Sequence, residues 1–114
     1  MNKELKDAWV EALRSGKYPQ GEGVLKSAEG EYCCLGVLGE VLVKAGEAEF
    51  MNTVTGACSV LTGGSGTGRS RTKLPVALRN KIGLPISAQE ELIDMNDNLR
   101  KNFIEISNWI EENV

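Results

Sequence analysis

Cys34-Leu-Gly-Val-Leu-Gly-Glu-Val-Leu-Val-Lys-Ala45 is the stretch that decides how this chain folds. Cys34, Leu38, Val41, Leu42 and Ala45 recur at helical spacing, and the spacing predicts a helix over 34–45. The run is apolar around most of its circumference, so the helix belongs inside the domain. Gly36 and Gly39 each cost it about 1 kcal/mol relative to alanine. The compensation expected for that cost is a close approach by another backbone. Gly46 supplies the stop.

Upstream, Leu5, Ala8, Trp9, Ala12 and Leu13 predict an amphipathic helix over Lys3–Arg14, with Asn2 as its N-cap and Gly16 as its stop. Two short strands, Gly23–Lys26 and Glu31–Cys33, are expected around the turn Ser27–Gly30. Downstream, Phe50–Val54 and Ala57–Leu61 predict a second strand pair around Thr55-Gly56. A glycine-rich basic loop at 62–73 follows. Leu74-Pro75 then opens a short helix to Ile82, with Pro75 at its first position and Gly83 at its end.

Ser87-Ala-Gln-Glu90 has the capping-box pattern and begins a helix to about Met95, which Asn96-Asp-Asn98 should break. Asn102 with Glu105 caps a last helix whose apolar stripe is Phe103, Ile106, Trp109 and Ile110. The expected architecture is therefore α+β: a single domain over 1–114, with terminal helices and short antiparallel strand pairs between them. At 114 residues the chain can bury a core without staples.

The chain carries 13 basic and 16 acidic residues and has a net charge of −3, which argues against general nucleic-acid coating. No stretch approaches a membrane span, and the charged N-terminus lacks a signal peptide's apolar core, so a cytoplasmic location is expected. Cys33, Cys34 and Cys58 have neither zinc nor redox spacing and read as reduced thiols packed in the core. The chain has no histidine, which removes His-based acid–base catalysis, Ser–His and Cys–His pairs and His metal sites. Neither an enzyme nor a bound cofactor or metal is expected. Glu90, Glu91, Asp94 and Asp97 read as a solvated helix face. Trp9 and Trp109 lie on apolar stripes and read as core.

Charge is unevenly placed. Between Glu49 and Glu90 there is no acid, but there are five cations, Arg69, Arg71, Lys73, Arg79 and Lys81. Within this segment Gly63-Gly-Ser-Gly-Thr-Gly-Arg-Ser70 spells a phosphate-loop string with arginine in the lysine position. Its upstream flank is strand-like. Its downstream flank, Ser70-Arg-Thr-Lys-Leu-Pro75, is a poor helix start, which denies the string the architecture of an NTPase. The remaining possibility is an anion site: backbone N–H groups of Gly64, Ser65, Gly66, Thr67 and Gly68 form a nest, and Arg69, Ser70, Arg71 and Lys73 close on phosphate. Tyr18 and Tyr32 flank the first expected hairpin, and Tyr32 is the candidate to stack on a base. The bland alternative is a surface loop with solvated cations.

Trp9-Val-Glu-Ala-Leu-Arg-Ser-Gly-Lys-Tyr18, Tyr32-Cys-Cys-Leu-Gly-Val-Leu38, Leu74-Pro75, Gly83-Leu84, Met95-Asn-Asp97 and Phe103-x-x-Ile106 with Trp109-Ile110 together resemble a family of small proteins of tailed bacteriophages and prophages. The resemblance spans roughly 1–45 and 74–114 and leaves out the glycine-rich region. It implies a phage origin and brings no activity or catalytic residue. By analogy with phage accessory proteins, the expected function is counter-defence. In that reading the chain sequesters a phosphate-bearing immune signal, a cyclic nucleotide or an ADP-ribose-type molecule, and a homo-oligomer that encloses it is expected. The alternative is an acidic protein that blocks a host defence factor or nuclease by charge mimicry.

Overall fold

The computed structural model describes residues 1–52, 58–63 and 68–114. They form an α+β domain in the order α1 (Lys3–Arg14), α2 (Cys34–Lys44), β1 (Glu49–Asn52), β2 (Ser59–Thr62), β3 (Arg69–Ser70), α3 (Val76–Ile82), α4 (Ile86–Asp97) and α5 (Phe103–Asn113). The strands make one antiparallel sheet ordered β1-β2-β3, with Phe50 opposite Leu61 and Thr62 opposite Arg69.

α2 is the centre, as its apolar circumference requires. Cys34, Leu35, Val37, Leu38 and Leu42 are fully buried. α1 packs against α2 and α5, while α4 and β1 cover other sides of α2. Gly36 explains how the centre is reached: a β-carbon there would overlap the carbonyl of Leu25. Gly39 meets the ring of Phe50 instead, at 2.8 Å from its ideal β-carbon. The close approach expected from the glycines is thus a backbone at one position and a side chain at the other.

Local signals account for the terminal helices. The Asn2 side chain accepts from the N–H groups of Glu4 and Leu5, and Asn102 with Glu105 forms a complete capping box. Gly83, at φ 77, ends α3 in the left-handed conformation. Trp9 is fully buried, whereas Trp109 only packs on the edge of the core.

Five expectations need correction. Pro75 is the N-cap of α3 at ψ 140 and does not fill its first helical position. The first hairpin does not form strands; Lys26 and Gln20 make only isolated bridges to Tyr32, and Ser27 makes one to Cys58. Ser87 is no N-cap, because α4 starts at Ile86 after Pro85 and has no side-chain cap bond. α4 also runs through Asn96 to Asp97. The Asn96 side chain, instead of turning back on its own backbone, is buried in bonds to distant segments, so the helix does not break there. Finally, 62–73 is not wholly loop: Arg69 and Ser70 pair with β2. The expected turn at Thr55-Gly56, with Thr53–Ala57, lies outside the described residues.

Candidate functional site

The segment that resembles a phosphate loop in letters connects two antiparallel strands. β2 leads into it and β3 leaves it, paired back on β2 through Leu61–Ser70 and Thr62–Arg69. A phosphate loop needs a helix after the glycines, whose N-terminal N–H groups complete the anion cradle. This one has a strand there. The predicted ligand residues Gly64, Ser65, Gly66 and Thr67 lie outside the described residues.

The cationic flank is described. Gly68 is exposed at φ 125, and Arg69, Arg71 and Lys73 are all exposed. The backbone beneath them is pinned. Leu25 N–H donates to the Arg71 carbonyl at 2.8 Å. Ser70 Oγ accepts from the N–H groups of Thr72 and Lys73, at 3.4 and 3.2 Å. Leu74 N–H then donates to the buried Gln89 Oε1 at 3.1 Å, anchoring the chain as it re-enters the core. Arg69 lies on the edge strand β3, and Arg71 follows in the bend that leaves it.

Charge pairing separates these cations from most others. Lys3, Arg14, Lys26, Lys81 and Arg100 each pair with a carboxylate. Arg79 donates to the Leu84 carbonyl, and Lys6 to the carbonyls of Glu111 and Val114. Among the described residues, no carboxylate pairs with Arg69, Arg71 or Lys73.

Tyr32 does not join this group as a stacking platform. Its ring is 7 % exposed, sits edge-on to Tyr18 at 5.2 Å, and has the Lys26 ammonium 5.5 Å from its centroid. Burial raises its phenol above the ordinary value. With its surfaces taken by the domain's own groups, it has no free face for a base, and the sequence expectation fails there.

Cys33 and Cys34 are buried and free, as is Cys58. Burial pushes the Cys33 thiol up to about 11, and Cys34 also lies well above the ordinary value. Neither is a nucleophile at neutral pH. Glu90, Asp94 and Asp97 share a helix but build no metal cage: among the described residues, no group of three acids or cysteines can hold an ion.

Among the described residues, the Asn96 side chain gathers four hydrogen bonds. Asn96 Oδ1 accepts from Gln20 Nε2 at 3.0 Å and from Cys34 N–H at 3.2 Å. Its Nδ2 donates to Gly21 O and Asp97 Oδ1, both at 2.9 Å. Trp9 Nε1 meets the Cys34 carbonyl at 3.0 Å, so both backbone polar groups of Cys34 are held by side chains. Because Cys33 supplies no side-chain cap, Asn96 caps α2 from another helix. Every donor and acceptor of Asn96 is thus satisfied inside the protein, which makes the cluster architectural. Sequence reading missed this role, because the partners of Asn96 lie 62 to 76 residues away and only the fold brings them together.

Over residues 1–114 the chain matches a protein family described as "Domain of unknown function (DUF8296)". The chain belongs to that family. The match covers the glycine-rich hairpin as well as the helical scaffold, so the hairpin is part of the family domain. No curated protein and no solved structure matches the chain. Among the described residues, no helix is long and apolar enough to cross a membrane.

A groove of about 700 Å³ lies elsewhere, along α1 and beside the C-terminal ends of α2 and α3. None of the candidate ligand residues lines it.

Proposed function

We propose that this domain is a non-enzymatic binder that sequesters a phosphate-bearing small molecule, with the glycine-rich hairpin and its cations as the binding element. The observation that carries this reading is the exposure of Arg69, Arg71 and Lys73 on a pinned backbone without a carboxylate partner. Exposed arginines present planar donors that match phosphate oxygens in pairs. Holding the backbone in advance lowers the ordering cost of binding. In the phage setting that the sequence resemblance implies, the ligand class is a nucleotide immune signal, either cyclic or of the ADP-ribose type.

Binding without reaction is favoured by the chemistry of the described residues. Burial holds the Cys33 and Cys34 thiols protonated, and the chain has no histidine to serve as a base. Calorimetric titration with a panel of cyclic nucleotides and ADP-ribose derivatives tests the proposal. Heat and a raised melting temperature are expected for one class, both lost in the Arg69→Ala, Arg71→Ala double variant, with the ligand recovered chemically intact after denaturation. No response to any member overturns the reading, as does binding that the double variant retains.

A further inference from the structure

The β-sheet has two faces, and α2 packs on one of them. Phe50 and Leu61 point to that side: a β-carbon on Gly39 would lie 2.8 Å from the Phe50 ring and 3.4 Å from Leu61 Cδ2. Side chains alternate along a strand, so Glu49, Met51, Val60, Thr62 and Arg69 share the opposite face. Exposure agrees with this assignment. Glu49 and Arg69 are exposed, Val60 is half-buried, and Thr62, flanked by two long side chains, is buried. Met51 is 45 % exposed, and among the described residues of the sheet it alone is a large apolar side chain left to solvent.

The register orders these groups. Thr62 pairs with Glu49 on one side and with Arg69 on the other, so the three form a row across the sheet. Two strand spacings, about 10 Å, separate the backbones of Arg69 and Glu49. Val60 and Met51 form the next row on the same face, about 7 Å along the strands. The face thus presents a cation at one edge, a carboxylate at the other and an apolar pair beside them. Among the described residues, Glu49 forms no ion pair. A carboxylate beside a site for bare phosphate only repels; it serves a ligand that also brings hydroxyl donors. Ribose hydroxyls are such donors, and acidic side chains accept from them in dinucleotide sites. The Met51 thioether suits contact with the aromatic ring of a base.

We infer, resting on the anion site proposed above, that the outer sheet face selects its ligand and that the ligand is a nucleoside diphosphate with free ribose hydroxyls. The diphosphate lies against Arg69, Arg71 and Lys73, Glu49 accepts from the ribose, and the base rests on Met51 and Val60. Two phosphates match three cations better than one does. A cyclic mononucleotide brings a single phosphate and ties one ribose hydroxyl into its ring, so it uses less of this face.

Calorimetric titration with ADP, with deoxy-ADP lacking the ribose 2′-hydroxyl, and with inorganic pyrophosphate tests the inference. ADP is expected to bind about tenfold or more tightly than either comparison probe. Glu49→Gln should weaken ADP by about tenfold and leave pyrophosphate unchanged. Met51→Ala should also weaken ADP alone. Both side chains are exposed, so both variants should melt with the parent. Equal affinity for the three probes, all lost in the Arg69→Ala, Arg71→Ala double variant, overturns the inference and leaves the anion site standing. Tighter binding of every probe by Glu49→Gln has the same result, because Glu49 is then only a repelling charge. A response to cyclic nucleotides alone also overturns it. No response to any nucleotide or to pyrophosphate, or binding that the double variant retains, overturns the anion site and the inference with it.

Discussion

A β-carbon on Gly36 would overlap the carbonyl oxygen of Leu25, so the buried helix α2 and the loop before it meet backbone to backbone. Leu25 cannot retreat freely. Its N–H is bonded to Arg71 O, and its own carbonyl accepts from Cys33 N–H at 3.3 Å. Gly36→Ala should therefore destabilise the domain by about 3 kcal/mol, despite alanine's better helix propensity. Gly39→Ala should cost less, because the atom it meets is the end of the Phe50 ring, which can rotate. Urea unfolding of the two variants measures the difference.

Asn96 joins α4, the start of α2 and the 20–21 segment in one set of bonds. Asn96→Ala leaves several buried polar groups without partners, at about 1–3 kcal/mol each, so a loss of about 3 kcal/mol or more is expected. Asn96→Asp keeps the shape but replaces the donor facing Gly21 O and Asp97 with an acceptor. Its destabilisation should shrink as pH falls and the carboxyl regains a proton. Thermal melts from neutral to acidic pH follow that recovery.

The buried thiols give an alkaline limit to stability. Cys33 has an ordinary value of 9.0 in the unfolded chain and about 11 in the fold. Below pH 9 both states hold the proton and the full stability is present. As pH rises from 9 to about 11, the unfolded state loses the proton first. Stability should then fall by about 1.4 kcal/mol per pH unit for each such thiol. Cys33→Ser and Cys34→Ser, compared with the parent in denaturant melts between these pH values, should flatten the slope. In the native protein at pH 8 a disulfide reagent should label Cys33 and Cys34 only at the rate of unfolding.

Arg14 ties α1 to α5 with three contacts. Its Nε donates to Ser107 Oγ at 2.9 Å, one terminal nitrogen donates to Asn108 Oδ1 at 2.7 Å, and the other pairs with Glu111. Ser107 is fully buried. A lysine cannot reproduce that fork, so Arg14→Lys should lose nearly as much stability as Arg14→Ala, about 1 kcal/mol. Equal shifts in the urea midpoint for the two variants would bear this out.

Arg69→Ala and Arg71→Ala alter exposed side chains with no carboxylate partner among the described residues. Each should change stability by less than about 0.5 kcal/mol. Unfolding midpoints equal to the parent's would make any loss of ligand binding a property of the hairpin rather than of the fold.

The amino-acid sequence by itself determined the parts whose causes are local. Asn2 and Asn102 cap helices with groups three residues away, Gly83 ends α3, and the apolar repeat of α2 demands burial. The glycines of α2 announced a close approach, and the absence of histidine and of acids near the hairpin was plain in the letters. Tertiary structure alone decided the rest. Asn96 continues a helix that it should break, because its bonds go to Gln20, Gly21 and Cys34, between 62 and 76 residues away. The phosphate-loop string ends in a strand instead of a helix because Arg69 and Ser70 found a partner in β2, and strand pairing depends on a neighbour that no local pattern names. Tyr32 was lost as a stacking group because Tyr18 and Lys26 cover it. Local caps and periodicities act within one helical turn and can be read in order along the chain; hydrogen bonds and ring contacts between distant segments exist only once the core has brought them together.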